Sequence, residues 1–267
     1  MRLGAIIDAT MYGGKAANLS TAFRAGLPVP DGFALSWEDV DAIATGAGGE
    51  VPALALGDLS DLPLAVRSSA VGEDSRTASF AGQHLTVLNV IGEHEVRAAV
   101  EQVWQSGRDE AALAYRRRMG MAEDPRIGVV VQHLVAAEVA GVLFTRDPIS
   151  GAADRWVIEA SWGLGESVVA GLVSPDLYIT TPSGDLLEAR PGTKTVAVVP
   201  DAGGGTSQRE VEDNGWCLDE AAVKAVAVLG RACERLFGSG LDIEWAFARD
   251  SPWLLQSRPI TVGVVAH

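Results

Sequence analysis

Leu241-Asp242-Ile243-Glu244-Trp245-Ala246-Phe247-Ala248, a turn at Arg249-Asp250-Ser251-Pro252, and Trp253-Leu254-Leu255-Gln256-Ser257-Arg258 make up the stretch that decides how this chain is read. Each arm carries the period-two pattern of a strand, so the pair predicts a hairpin. Alternation puts Asp242 and Glu244 on one face of the first strand and Gln256 and Arg258 on one face of the second. Ile243 and Trp245 then fill the opposite face, and the polar set borders a cleft. Two carboxylates, an amide and a guanidinium can converge there. Glu244 and Gln256 supply the oxygen donors that a hard cation such as Mg²⁺ shares with phosphate, and the planar fork of Arg258 suits a phosphate. An exposed hairpin with a cross-strand salt bridge is the competing reading of the same pattern.

Working back from the hairpin, Asp219 is a good N-cap for a helix through Val223, Val226, Leu229, Cys233 and Leu236 that stops near Gly238. Upstream, Ile127–His133, Gly141–Thr145, Arg155–Ala160 and Leu177–Thr180 read as short strands of a mixed or antiparallel sheet. Ala202–Thr206, with its three glycines, reads as a mobile loop. Residues Glu93–Met119 carry Val96, Val100, Val103 and Trp104 at helical spacing, and Arg116-Arg117-Arg118 at their end read as a solvated face. Leu64-Ala65-Val66-Arg67 predicts a buried strand running into a polar turn, Ser68 to Ser75. Thr45–Asp61 reads as a connection with at most one short helix. Near the start, Gly13-Gly14-Lys15 opens a helix that runs to Ala25 and ends at Gly26.

The 267 residues suffice for one large or two small domains. The 48% hydrophobic and 21% charged residues argue against disorder over most of the length. The net charge of −14 argues against nucleic acid or an anionic membrane as partner, so any polyanionic ligand must be held by locally placed cations. Cys217 and Cys233 are too few for a disulfide framework and lack metal-ligand spacing, which fits inert buried thiols in a reducing cytoplasm. The first residues lack the apolar run of a signal peptide or membrane span. His84, His94, His133 and His267 show no metal spacing and read as structural or surface residues.

Lys15 follows two glycines, but Ala16 stands where a P-loop needs Ser or Thr after the lysine, so that assignment fails. Arg67, leaving an apolar strand, needs either Glu73 or Asp74 or an anionic ligand. Ala78-Ser79-Phe80-Ala81-Gly82-Gln83 is a small-residue segment able to bring backbone N–H groups to phosphates, and Trp162-Gly163-Leu164-Gly165-Glu166 is a flexible turn.

In order, these segments, with Gly26-Leu27-Pro28-Val29-Pro30-Asp31-Gly32-Phe33, Val66-Arg67-Ser68-Ser69-Ala70, Gly141-Val142-Leu143-Phe144-Thr145-Arg146-Asp147-Pro148 and Pro175-Asp176, resemble the ATP-binding domain of the phosphoenolpyruvate synthase and pyruvate phosphate dikinase family, which includes rifampin phosphotransferase. The resemblance covers almost the whole chain. It implies an α+β, ATP-grasp-like fold in which two lobes, residues 1–125 and 126–267, hold ATP in the cleft between them. It also implies roles: Lys15 and Arg67 neutralise the transferring phosphates, Glu244 and Gln256 hold Mg²⁺, and Arg258 is a further phosphate contact. Asp242 sits beside the metal, and Ser79, Phe80, Ala81, Gly82 and Gln83 belong to a flap over the phosphates.

The expected function is that of a Mg-ATP-binding phosphotransferase component passing phosphate to a histidine on a separate domain or chain. That expectation rests on the chain ending at His267 without the family's swivelling and acceptor domains, and on no histidine here matching its phosphohistidine motif. Lys15 and Arg67 stand 67 − 15 = 52 positions apart, which predicts a shortened N-terminal lobe. Two alternatives stay open: a stand-alone kinase acting on a small molecule, and a non-catalytic ATP-binding module or fragment.

Overall fold

A computed structural model describes residues 1–48, 62–72, 85–118, 120, 124–212 and 215–260. The chain folds into two units, each with its own antiparallel sheet and helices, which gives the expected α+β class. The first unit comprises residues 1–24, 30–134 and 200–206, the second 25–29, 135–199 and 207–267. The main passage from first to second falls after Leu134, later than the break expected at 125–126.

In the first unit, β1 (Gly32–Leu35), β2 (Leu64–Ala70), β3 (Thr86–Val90) and β4 (Ile127–His133) form a sheet in the order β1-β4-β2-β3. One face carries Phe33, Leu35, Leu64, Val66, Val129 and Val131, and packs on α3 (Trp37–Thr45) and α4 (Glu93–Ser106) through Val40, Ile43, Val96, Val100 and Val103. The period of two in the strands and of 3.6 in the helices makes these residues meet. The other face, with Arg67 and Ser69, lies under α1 (Ala9–Tyr12) and α2 (Gly14–Arg24), whose Ala16, Leu19 and Ala22 are buried.

Three expectations are corrected in this unit. Ser68, Ser69 and Ala70 continue β2 instead of opening a turn, because Val129, Gly128 and Ile127 of β4 pair with them. The helical stretch after Glu93 breaks at Gly107, and a second helix, α5 (Glu110–Arg118), starts there with the Asp109 carboxylate accepting from Ala112 N–H at 2.7 Å. Of the three arginines on α5, Arg117 and Arg118 are exposed but Arg116 is buried, since three consecutive helical residues cannot share one face. Most of the Thr45–Asp61 connection lies outside the described residues.

In the second unit, β5 (Val139–Phe144), β6 (Trp156–Trp162), β7 (Asp176–Thr180), β8 (Leu186–Arg190), β11 (Leu241–Ala248) and β12 (Ser251–Pro259) run in the order β12-β11-β5-β6-β7-β8, every pair antiparallel. A short helix, α6 (Glu166–Val169), follows β6, and α7 (Glu220–Phe237) starts at the Asp219 cap as expected, with Ala222 N–H donating to it. One sheet face, with Leu143, Trp156, Ile158, Ile243 and Trp245, is buried. A Cβ on Gly230 of α7 would touch Leu143 and Trp156, so α7 lies directly on that face.

β9 (Val196–Pro200) and β10 (Thr206–Glu210) form a separate ribbon. The segment expected to be a mobile loop is its hydrogen-bonded turn. Gly205 N–H donates to Asn89 O at 2.9 Å, and the buried Asn89 amide donates to Asp201 O and Gly205 O. Both cysteines are free and buried, and burial raises both thiols, Cys233 to about 12. Among the described residues no helix is long and apolar enough to cross a membrane.

Candidate functional site

In the first unit the structure fastens the turn that carries Lys15 to the strand that carries Arg67. Gly13, at φ 80°, lies so close to β2 that a Cβ would stand 1.9 Å from Ser69 O. No side chain fits there, which explains the glycine. Ala16 N–H donates to Ser69 Oγ at 3.0 Å, two residues from Arg67 on the same face. Lys15 and Arg67 are both buried, at 4% and 8% exposure, and both have partners. The two residues thus sit on elements fastened to each other through Ser69.

In the second unit the hairpin forms with Asp242 opposite Arg258 and Glu244 opposite Gln256, and its turn is shorter than the four residues expected, because Ser251 and Pro252 pair with Ala248 and Phe247. Residues 249–250 close it, both with positive φ, the backbone that a tight two-residue hairpin turn requires. A β-bulge after Glu244 leaves Leu255 without a register partner, a device common beside functional sites because it re-aims neighbouring side chains. Of the two readings the pattern left open, the structure bears on the second. Arg258 donates through Nε and Nη2 to Asp242 Oδ2 at 2.9 and 2.8 Å, so the cross-strand salt bridge exists. The hairpin is not an exposed one, however, since Gln256 is buried at 4% and the Asp242 side chain is 14% exposed. Burial raises the Asp242 carboxyl, Arg258 opposes that shift, and Glu244 adds to it.

The oxygen donors Asp242, Glu244 and Gln256 suit a hard cation that takes a few protein ligands and completes its shell with phosphate and water. No group of three or more His, Cys, Asp or Glu that could hold a metal by itself occurs among the described residues. Ser79, Phe80, Ala81, Gly82 and Gln83, with Glu73, Asp74 and His84, lie outside the described residues. His94 and His133 are exposed.

Two sets of residues escaped the reading of the sequence. Glu159, on β6, stands in register with Val142 of β5, which stands in register with Glu244. It is therefore a third carboxylate on the hairpin's polar face, signalled only as a lone acid in an apolar run. The second set is a buried knot around Asp176. Its Oδ1 accepts from Lys194 Nζ and from Gly192 N–H at 2.8 Å, and its Oδ2 accepts from Cys217 N–H at 2.8 Å. Asp176 and Lys194 are both fully buried.

Residues 52–265 match the family model described as the pyruvate phosphate dikinase AMP/ATP-binding domain. A rifampicin phosphotransferase from a Streptomyces species is 43% identical over 202 residues, 74% of this chain and 23% of that protein. A probable phosphoenolpyruvate synthase from Methanothermobacter thermautotrophicus is 35% identical over 305 residues, 95% of this chain and 44% of that protein. This chain therefore spans less than half the length of these curated relatives. Among solved structures, an L-amino acid ligase from Bacillus licheniformis has a TM-score of 0.46 at 14% identity, over 96% of this chain and 44% of its own.

Proposed function

The chain belongs to the pyruvate phosphate dikinase AMP/ATP-binding domain family, and on that premise we propose that it is an ATP-dependent phosphotransferase component. It binds Mg-ATP in an ATP-grasp-like cleft and passes phosphate to a histidine on a separate domain or chain. The observation that carries this reading is the hairpin register, which sets Glu244 against Gln256 and Asp242 against Arg258 on one sheet face. Phosphoryl transfer asks for positioning and cations more than for covalent chemistry by the protein.

In this reading Lys15 and Arg67 meet the phosphates, and their fastening through Gly13 and Ser69 fixes them before the nucleotide arrives. Glu244 and Gln256 hold Mg²⁺, which when bound offsets charge on the phosphates. Arg258, oriented by Asp242, binds a further phosphate oxygen through the donors that Asp242 leaves open. Ser79 to Gln83 cover the phosphates as a flap. The two free, buried thiols support a reducing, cytoplasmic setting.

The reading is tested by incubating the protein with radiolabelled Mg-ATP and a family histidine domain. A phosphorylated histidine domain with AMP as product is expected. No phosphoprotein under any condition would overturn it. ADP together with a phosphorylated small molecule would replace it with direct kinase activity.

A further inference from the structure

Beyond Arg258 the hairpin meets a turn that the proposed nucleotide site does not use. The chain leaves β5 through Thr145, whose N–H donates to Leu241 O at 2.9 Å, and enters a turn at residues 146–151. The Asp147 carboxylate fixes that turn from inside, its Oδ1 accepting from Ile149 N–H at 2.8 Å and from Ser150 N–H at 3.1 Å. Asp147 N–H donates to Ala152 O at 3.0 Å, and Gly151 N–H donates to Asp147 O at 2.9 Å. On the turn Ile149 is 96% exposed. A lone exposed isoleucine is ordinary on a protein surface. This one stands on a backbone already held by hydrogen bonds, so seating it in a partner costs little ordering entropy.

Arg146 adds charge to the same turn. It is half-buried, and among the described residues it makes no hydrogen bond and no ion pair. Arg155 and Arg258, by contrast, have acidic partners: Arg155 lies 3.9 Å from both Asp147 and Glu188, and Arg258 bonds Asp242. A Cβ on Gly240 would stand 3.9 Å from Arg146 Nε, and Gly240 precedes Asp242 by two residues, about 7 Å along a strand. The turn therefore borders the end of the sheet where Asp242 and Arg258 face each other. In the other direction the sheet face is covered, since a Cβ on Gly165, just before α6, would lie 3.6 Å from Ala140 Cβ. A partner that reaches this unit from its uncovered end meets an apolar knob and an uncommitted cation. In a chain of net charge −14 that cation selects for a carboxylate.

We propose that this turn is the docking surface for the histidine-bearing partner, with Ile149 entering an apolar socket and Arg146 meeting a carboxylate beside it. Arginine is enriched among the residues that dominate interface energetics. The proposal rests on the phosphotransferase reading above and names the surface that brings the acceptor to the phosphate.

The test measures phosphorylation of a family histidine domain from Mg-ATP by the intact protein over a range of domain concentrations, with calorimetry of Mg-ATP binding alongside. Ile149→Asp and Arg146→Glu are each expected to raise the domain concentration for half-maximal rate by roughly tenfold or more, as loss of an interface anchor does. Mg-ATP affinity should stay within about twofold, because the turn is separate from the nucleotide contacts. Arg146→Lys keeps the charge and should keep most of the affinity for the domain. Unchanged half-saturation in either of the first two variants would overturn the inference and leave the phosphotransferase reading standing. A loss of Mg-ATP affinity equal to the loss of rate would overturn it too, by assigning the turn to the nucleotide site. No phosphorylation by the unaltered protein would overturn both.

Discussion

Replacing Asp176 by alanine perturbs a site where geometry sets the magnitude. Asp176 is fully buried and receives Lys194 Nζ, Gly192 N–H at 2.8 Å and Cys217 N–H at 2.8 Å, with Tyr178 OH at 3.3 Å. Asp176→Ala removes the carboxylate that receives the Lys194 ammonium, itself 0% exposed. Breaking a buried pair from one side costs about 3–5 kcal/mol. The two peptide N–H groups that lose this acceptor would cost at most about 1–3 kcal/mol each if they acted independently. They share one partner, so the contributions do not add, and a loss of about 4 kcal/mol is expected.

Urea denaturation followed by tryptophan fluorescence measures that loss. Trp216, whose ring centroid lies 5.6 Å from that of Tyr178, reports from beside the knot. The double variant Asp176→Leu with Lys194→Met should recover most of the stability, since well-packed apolar side chains can replace a buried pair. A loss below about 1 kcal/mol in Asp176→Ala would refute the reasoning. The pH dependence follows from the same contacts. Burial raises the Asp176 carboxyl, but the bonds from Gly192, Lys194 and Cys217 together outweigh it and hold the carboxyl below its ordinary value. The stability it contributes is therefore present above about pH 4, the unfolded value, and falls away as pH drops through the lower folded value.

Glu244→Ala should abolish the Mg²⁺ dependence of nucleotide binding while changing stability by less than about 1 kcal/mol, measured by calorimetry and thermal melting. Lys15→Met and Arg67→Gln, which keep most of the buried volume, should reduce kcat more than nucleotide affinity if their contacts strengthen in the transition state; equal losses in both would argue for ground-state anchoring. Gly13→Ala should cost about 2 kcal/mol or more and depress turnover with it, because its Cβ meets Ser69 O at 1.9 Å in a backbone conformation of φ 80°. A neutral Gly13→Ala would mean that the Lys15 turn is not held as described.

The parts of the fold legible in the sequence were those whose local pattern and tertiary setting agree. The Asp219–Gly238 helix has its cap, its apolar stripe and its stop, and the final hairpin has alternation on both arms. Ser68 to Ala70 misled because serines carry turn chemistry, whereas pairing with β4 overrides that local preference. Arg116 and Lys194 look like surface cations in sequence, and only the packing around them shows that they are buried. The hairpin's four polar residues were legible because two strands bring them together. Glu159 was not, because the sheet order β11-β5-β6, which makes it their neighbour, is a long-range fact. The link between the segment of Lys15 and the strand of Arg67 likewise depends on Gly13 lying against Ser69, which no spacing announces.

Titration of the protein with ATP in a calorimeter, with and without Mg²⁺, tests the central claim most directly, because it needs no knowledge of the phosphate acceptor. The account expects Mg²⁺-dependent binding in the micromolar range, roughly −8 kcal/mol. Absence of binding, or binding of equal strength without the metal, would contradict it.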